Sequence, residues 1–209
     1  KTNNTLYYLL MTSEQHQDHH HKSRHAPMSF TGCKILGSQG QHYQVGPAIG
    51  RGSFATVYRA TNLSTNEQVA IKVVDKKKLE KKAIENQIRE IEIMRKVSHP
   101  NVMSLKDLLE SDSHLFLISQ YMGGGELFDR IVSRGAFTEA DASQVLRQIV
   151  DGISYLHENG ICHRDLKPEN LLCSEGEQFT VVITDFGFAK LYGQGEQMKT
   201  SCGTLHYAA

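Results

Sequence analysis

The stretch His163-Arg164-Asp165-Leu166-Lys167-Pro168-Glu169-Asn170 sets two acids, two cations, a histidine and an amide within eight residues. It follows a helix-like segment that ends at Asn159-Gly160. An Asp alone reads as a surface charge or a cap. With Lys two residues on and Asn five residues on, it reads as a base, a cation and a metal ligand in one short loop. Such a loop needs partners elsewhere in the chain, and three candidates stand at workable distances.

Upstream lies Ile49-Gly50-Arg51-Gly52-Ser53-Phe54-Ala55-Thr56-Val57. Glycines let backbone N–H groups come close to phosphate, and a hairpin of them makes a lid over a triphosphate. The sequence contains no G-x-x-x-x-G-K-[ST], and a strand pattern rather than a helix follows. Both points argue against the P-loop and dinucleotide folds. Val69-Ala70-Ile71-Lys72 comes next, with Lys72 twenty-two residues after Gly50. On a strand Ala70 and Lys72 share a face, so the ammonium points where a small side chain leaves room for a flat ring. Glu90, eighteen residues further on in a helical pattern, is a carboxylate able to hold that ammonium. Downstream, Val181-Val182-Ile183 runs into Asp185-Phe186-Gly187, where Asp185 is a candidate metal ligand. Each piece alone has an ordinary explanation: a surface charge, an edge-strand lysine, a loop glycine. Together they supply what phosphoryl transfer requires, namely a base for a hydroxyl proton, cations for phosphate and oxygen ligands for metal ions.

The 209 residues carry 23 basic and 23 acidic side chains, so no global charge directs the chain to nucleic acid or acidic lipid. No apolar run reaches the length of a membrane span, and Leu6–Met11 is too short for a signal-peptide core. Cys33, Cys162, Cys173 and Cys202 form no C-x-x-C pair, which reads as reduced thiols in an intracellular setting, cytoplasmic or nuclear.

Residues 1–42 are expected to be a disordered polar tail, rich in histidine at His16, His19, His20, His21 and His25. From Tyr43, β-branched alternation through Val57, Val69, Ile71 and Val73 predicts antiparallel strands broken by the turn Thr61–Asn66. Lys76 to Val97 predicts a helix with Ile84, Ile88, Ile91 and Met94 on one face, stopped by Ser98-His99-Pro100-Asn101. Strands are expected at Val102–Leu109 and Leu115–Ser119. Thr138-Glu139-Ala140-Asp141 is a capping-box signature opening a helix with Val145, Ile149, Ile153 and Leu156 on one face, stopped at Gly160. The order predicts an α+β chain, β-rich over 43–122 and mostly helical over 123–209.

With these motifs in order, the sequence resembles the eukaryotic protein kinases from Tyr43 to Ala209. Leu166–Asn170 looks like the serine/threonine class. Gly124-Gly125-Glu126-Leu127-Phe128-Asp129-Arg130-Ile131 and Cys202-Gly203-Thr204 look most like the calcium/calmodulin-dependent group. The resemblance implies a bilobal fold with a β-rich N-lobe and a helical C-lobe. That C-lobe is expected to be incomplete, since A-P-E would follow Ala209. The implied activity is transfer of the γ-phosphate of ATP, with Mg²⁺, to a Ser or Thr hydroxyl of a protein substrate, with little or none expected of these 209 residues alone. The alternative is a catalytically inactive kinase-fold binding or scaffold module.

The resemblance also implies residue roles. Ile49, Gly50, Arg51, Gly52, Ser53, Phe54 and Ala55 form the phosphate lid, with Ala55 where a third glycine is usual. Lys72 binds phosphate and pairs with Glu90. Asp165 accepts the substrate proton, Lys167 contacts the γ-phosphate, and Asn170 and Asp185 hold Mg²⁺. Val57, Ala70 and Leu172 sandwich adenine, Ser119 is the gatekeeper, Gln120 to Met122 meet the purine edge, and Glu126 reaches the ribose or a basic substrate residue. Met94, Leu105, His163 and Phe186 match a stacked apolar column. Thr204 is expected to pair with Asp165 and Lys167. Arg164 implies control by an activation-loop phosphate, placed on Thr200 by an upstream kinase. Calcium–calmodulin is expected to act through a region outside this sequence.

Overall fold

The computed structural model describes residues 29–135, 137–193 and 203–204. They fall into two compact units. The first takes residues up to Ile88 together with Leu105–Tyr121, and the second takes Arg89–Ser104 together with residues from Met122 onward.

In the first unit six antiparallel strands form one sheet in the order β1-β2-β3-β4-β6-β5. The strands are β1 (Lys34–Leu36), β2 (His42–Arg51), β3 (Ala55–Asn62), β4 (Gln68–Asp75), β5 (Leu105–Glu110) and β6 (His114–Gln120). The period-two alternation of β4 separates two tasks. Val69, Ile71 and Val73 are buried with Tyr43, Val45, Tyr58, Phe116 and Ile118 in one apolar cluster. Ala70 and Lys72 point to the opposite face and stay partly exposed.

Three expectations change here. Residues 29–42 are not tail: Lys34–Leu36 pairs with His42–Gln44 as β1, and Phe30 and Ile35 pack against the apolar cluster. Two scattered hydrophobic side chains and a short edge strand carry too little periodicity to be seen beside a polar run. The helix expected from Lys76 begins later. Asp75 accepts a hydrogen bond from the Lys77 N–H at 3.1 Å and caps a separate 3-10 turn at Lys76–Lys78, after which α1 runs Lys81–Lys96. Lys76 is buried in an ion pair with Glu110. Finally, Val102 makes isolated bridges with His99 and Ile183 instead of starting a strand, so β5 begins only at Leu105.

The second unit holds the C-terminal half of α1, α2 (Leu127–Arg134) and α3 (Glu139–Glu158). Alongside these are a three-stranded sheet of order β10-β9-β7 and a pair β11-β8. Its strands are β7 (Gly125–Glu126), β8 (Ile161–Cys162), β9 (Leu171–Cys173), β10 (Val181–Ile183) and β11 (Lys190–Leu191). The capping box at α3 is present, with the Asp141 N–H donating to Thr138 Oγ1 at 3.1 Å and the Thr138 N–H donating back at 3.3 Å. Gly160, at φ 66°, ends the helix as its sequence position requires. Asn101 is buried and ties the α1–β5 connection to this unit. Its Nδ2 donates to the Val181 carbonyl at 2.8 Å and to Gln148 Oε1 at 3.1 Å. Among the described residues no helix is long and apolar enough to cross a membrane.

Gly152 lets α3 approach β10 closely: a Cβ there would stand 3.0 Å from the Asn101 carbonyl oxygen and 2.9 Å from Ile183 Cδ1. Gly152→Ala gains about 1 kcal/mol of helix propensity but overpacks against backbone, which costs about 1–3 kcal/mol. We expect overpacking to win, and the thermal midpoint of the variant to fall by roughly 2–4 °C in a melt followed by circular dichroism.

Candidate active site

Residues of the second unit build a charged cluster. After β8 the chain turns through His163–Lys167 into a 3-10 turn at Pro168–Asn170 and then into β9. Arg164 adopts a left-handed φ of 65°, unfavourable for a long side chain unless its surroundings hold it. Here they do. Arg164 Nε donates to the Phe188 carbonyl at 2.8 Å, and His163 Nε2 donates to the Thr184 carbonyl at 2.8 Å. The Asp165 N–H donates to His163 Nδ1 at 3.3 Å. These two bonds need a proton on Nε2 and none on Nδ1, hence a neutral ring. Burial pushes the His163 pKa below its ordinary value, outweighing the upward pull of the Thr184 carbonyl, Asp185 and Asp165. The ring meets Phe186 edge-on, centroids 5.3 Å apart.

Asp165 is 5% exposed. Its Oδ1 accepts from the Thr204 hydroxyl at 2.7 Å, and its Oδ2 lies 3.2 Å from Lys167 Nζ. Lys167 Nζ also donates to Thr204 Oγ1 at 2.9 Å, so the hydroxyl sits between base and cation as the resemblance implies. Asn170 Nδ2 donates to the Asp165 carbonyl at 2.8 Å and to Oδ2 at 3.3 Å. Burial raises the carboxyl pKa, but hydrogen bonds from Thr204 and Lys167, the Lys167 charge and Asn170 together leave it below its ordinary value. Asp165 is thus an ionised carboxylate under a low-dielectric cover.

Because the Asn170 amide nitrogen faces Asp165, its oxygen is the atom left for a cation. Asp185 follows β10 in the left-handed region at φ 64°, accepts from the Gly187 N–H at 3.4 Å and keeps an exposed carboxylate. Among the described residues no three His, Cys, Asp or Glu side chains gather to hold a metal ion. An amide oxygen and a carboxylate suit Mg²⁺, which takes one or two protein oxygens and fills its octahedron with water and phosphate. Glu126 and Leu172 are direct partners across β7 and β9. Gly124 allows this approach, since a Cβ there would lie 2.2 Å from the Ser174 carbonyl oxygen. Met122 is buried at the start of this unit, and Glu90 is buried on α1.

Residues of the first unit build a separate patch. Ile49, Gly50 and Arg51 end β2, Gly52, Ser53 and Phe54 form the hairpin tip, and Ala55 opens β3. The Gly52 N–H donates to the Ala55 carbonyl at 2.8 Å and closes the tip. Gly50 pairs with Val57, Val57 with Lys72, and Ala70 with Ser119, which aligns these residues across neighbouring strands. Gln120 ends β6. A Cβ at Gly50 or Gly52 would meet nothing nearer than 3.9 Å or 3.6 Å, so the fold itself does not demand glycine there. Lys72 and Glu90 belong to different units, and their pairing remains a proposal. Thr200, Cys202 and the five tail histidines lie outside the described residues.

Two contributors escaped the sequence reading. Arg89 Nη1 donates to the Gly187 carbonyl at 2.9 Å and holds the turn after Asp185, yet in sequence it is one basic residue in a basic helix. Gly203, at φ 114°, would bring a Cβ to 3.0 Å from the Arg164 carbonyl oxygen, so a bare backbone there lets Thr204 reach Asp165. The Cys-Gly-Thr triplet was its only signal.

The protein kinase domain family pattern matches residues 43–209, and the chain belongs to that family. It is 54% identical over 168 residues to a probable myosin light chain kinase of Dictyostelium discoideum, covering 80% of this chain and 48% of that protein. Myosin light chain kinase A of the same organism is 44% identical over 168 residues, covering 80% and 57%. CBL-interacting protein kinase 8 of Oryza sativa subsp. japonica is 45% identical over 169 residues, covering 80% and 37%. The chain spans about half the length of the curated relatives it matches.

The depressed pKa of His163 has a signed consequence. The unfolded ring titrates near about 6.5, so its contribution to stability is complete above that pH. It is lost as pH falls toward the lower folded value. His114 in the first unit is lowered mainly by burial too and adds the same sign. Between pH 7.5 and 5.5 the thermal midpoint should fall. His163→Phe should flatten that fall, and the double variant with His114→Phe should flatten it further.

Proposed function

We propose that the chain supplies the catalytic centre of an ATP- and Mg²⁺-dependent protein serine/threonine kinase. One observation carries the reading: the Thr204 hydroxyl donates to Asp165 Oδ1 at 2.7 Å while Lys167 Nζ donates to Thr204 Oγ1 at 2.9 Å. The loop accommodates a threonine-type hydroxyl between an ionised base and a cation. A substrate hydroxyl presented there gives its proton to Asp165 as it attacks, and Lys167 offsets charge on the transferred group. MgATP, when bound, supplies the phosphoryl group and neutralises its charge. Asn170 and Asp185 offer the metal its oxygen donors.

In the first unit a Cβ on Gly50 or Gly52 would meet nothing nearer than 3.9 Å or 3.6 Å, and this uncrowded backbone suits phosphates against the lid Ile49–Ala55. Lys72, with Glu90 as its counter-ion, holds phosphate. Val57, Ala70 and Leu172 flank the purine, Gln120 and Met122 meet its edge, and Glu126 reaches the ribose or a basic substrate residue.

Two similar proteins are named for myosin light chain, which makes a myosin light chain the first substrate class we propose. An intracellular site, cytoplasmic or nuclear, is supported by the free thiols of Cys33, Cys162 and Cys173. An upstream kinase acting at Thr200 and calcium–calmodulin are the proposed regulators, both on the resemblance alone.

With the intact protein, radiolabelled ATP and a myosin light chain, Asp165→Asn should lower kcat by about 10²–10⁴-fold. Lys72→Ala should abolish detectable transfer. Label on tyrosine, or transfer undiminished in Asp165→Asn, would overturn the assignment. Thr200→Ala should lower kcat of protein treated with a cell extract and ATP. Equal turnover would remove Thr200 from the regulation, and added calcium–calmodulin should raise kcat if that partner is right.

A further inference from the structure

The family pattern begins at residue 43, yet ordered chain precedes it. Residues 29–41 are stitched to the sheet along their whole length. The Gly32 N–H donates to the Val45 carbonyl at 2.8 Å, and the Val45 N–H donates to the Cys33 carbonyl at 2.9 Å. Gln44 Nε2 donates to the Gly32 carbonyl at 3.0 Å. At the far end of the segment, Asp107 is only 7% exposed and accepts from the Ser38 N–H at 3.0 Å, Ser38 Oγ at 2.6 Å and Gln41 Nε2 at 3.0 Å. With the Leu108 N–H at 2.9 Å the carboxylate has four donors, three of them from this segment, and such an arrangement is costly to break.

The near end of the segment is Phe30. Its ring stands edge-on to three others: Tyr58 at 6.3 Å, His114 at 5.1 Å and Phe116 at 5.4 Å between centroids. Its N–H donates to the Tyr58 hydroxyl at 3.4 Å. Phe30 is also one wall of a small cavity, about 70 Å³, whose other walls include Gly52, Ser53, Phe54 and Ala55. The hairpin tip therefore rests over a space that Phe30 bounds from below. The tip has few anchors of its own beyond the Gly52–Ala55 bond and the Asp75 N–H donating to the Phe54 carbonyl at 2.9 Å.

We propose that residues 29–41 brace the glycine hairpin, with Phe30 as a positioning residue that sets how firmly the hairpin holds its ligand. The step to nucleotide rests on the kinase reading above. Emptying the Phe30 site enlarges the cavity under Ser53–Ala55, and the tip then samples more conformations before ligand orders it.

The test compares wild type, Phe30→Ala and Phe30→Leu in the intact protein by amide hydrogen exchange and by titration with a fluorescent ATP analogue. Phe30→Ala should speed exchange at residues 51–56 selectively and weaken nucleotide binding by about fivefold, the low end of site-to-site coupling. The KM for ATP should rise in step, while kcat and the KM for peptide stay near wild type. Phe30→Leu, which refills most of the site, should fall in between. Unchanged exchange at the tip overturns the brace, as does exchange that quickens evenly over all six strands, which would mark Phe30 as general core. If wild type binds no nucleotide, the kinase reading fails, and the exchange data still decide whether the brace exists.

Discussion

An ionised carboxylate at 5% exposure is the constraint on which the second unit depends. Left without partners, a buried charge would take up a proton or drive the loop open to water. Asp165 does neither because a threonine hydroxyl, a lysine ammonium and an asparagine amide converge on it from Thr204, Lys167 and Asn170. Two of these donors come from its own loop, within five residues, and the third from a segment almost forty positions away in sequence. The loop alone supplies an incomplete set of donors. The distant hydroxyl completes it, and the bare backbone of Gly203 is what lets that hydroxyl approach.

The loop in turn hangs on β10. The Ile183 N–H donates to the Asn101 carbonyl at 2.9 Å, and the Met103 N–H donates to the Ile183 carbonyl at 2.9 Å. The next residue, Thr184, gives its N–H to the Asn170 carbonyl and its own carbonyl to His163 Nε2. Ile183 and Thr184 thus join the α1–β5 connection to both ends of the Asp165-bearing loop just before Asp185. Backbone groups buried this deeply need partners, and here each partner is a residue whose placement matters to the site. The left-handed turns at Arg164 and Asp185 persist because the bonds on either side leave them no cheaper geometry.

The sequence made the order of elements legible because period-two and period-3.6 patterns are written locally. The β4 alternation and the Thr138–Asp141 box are read from neighbours within four residues. It was silent where one side chain answers to a distant backbone. Asn101 looked like a helix stop, although its amide holds β10 through Val181. Arg89 drew no reading of its own in a helix with many charged residues, although it fixes Gly187. Val102 had the composition of a strand residue, but its bridge partners are His99 and Ile183 rather than residues of β6. Lys76 to Leu79 had helical spacing, but the Asp75 side chain competes for the first turn and delays the helix. The site was clearer than its supports, because chemistry selects residue types while support selects positions.

The first unit shows the same division within a single strand. Ile71 and Lys72 are neighbours, one fully buried in the apolar cluster and the other on the opposite face beside Val57. A one-residue slip of β4 would exchange them, burying an ammonium and exposing the core. The register is therefore held by burial on one side alone, and the other side is left free to be shaped for a ligand. That freedom is greatest around the hairpin tip, where a Cβ on Gly50 or Gly52 would be uncrowded, its nearest neighbours at 3.9 Å and 3.6 Å. A segment so lightly held opens at little cost, and its rigidity must be borrowed from what lies beneath it. Beneath it lies Phe30, a wall of the cavity under the tip, in a segment that stands before the part the family pattern covers. The hairpin lies within residues 43–209 that the family pattern matches; part of what packs around it lies outside them.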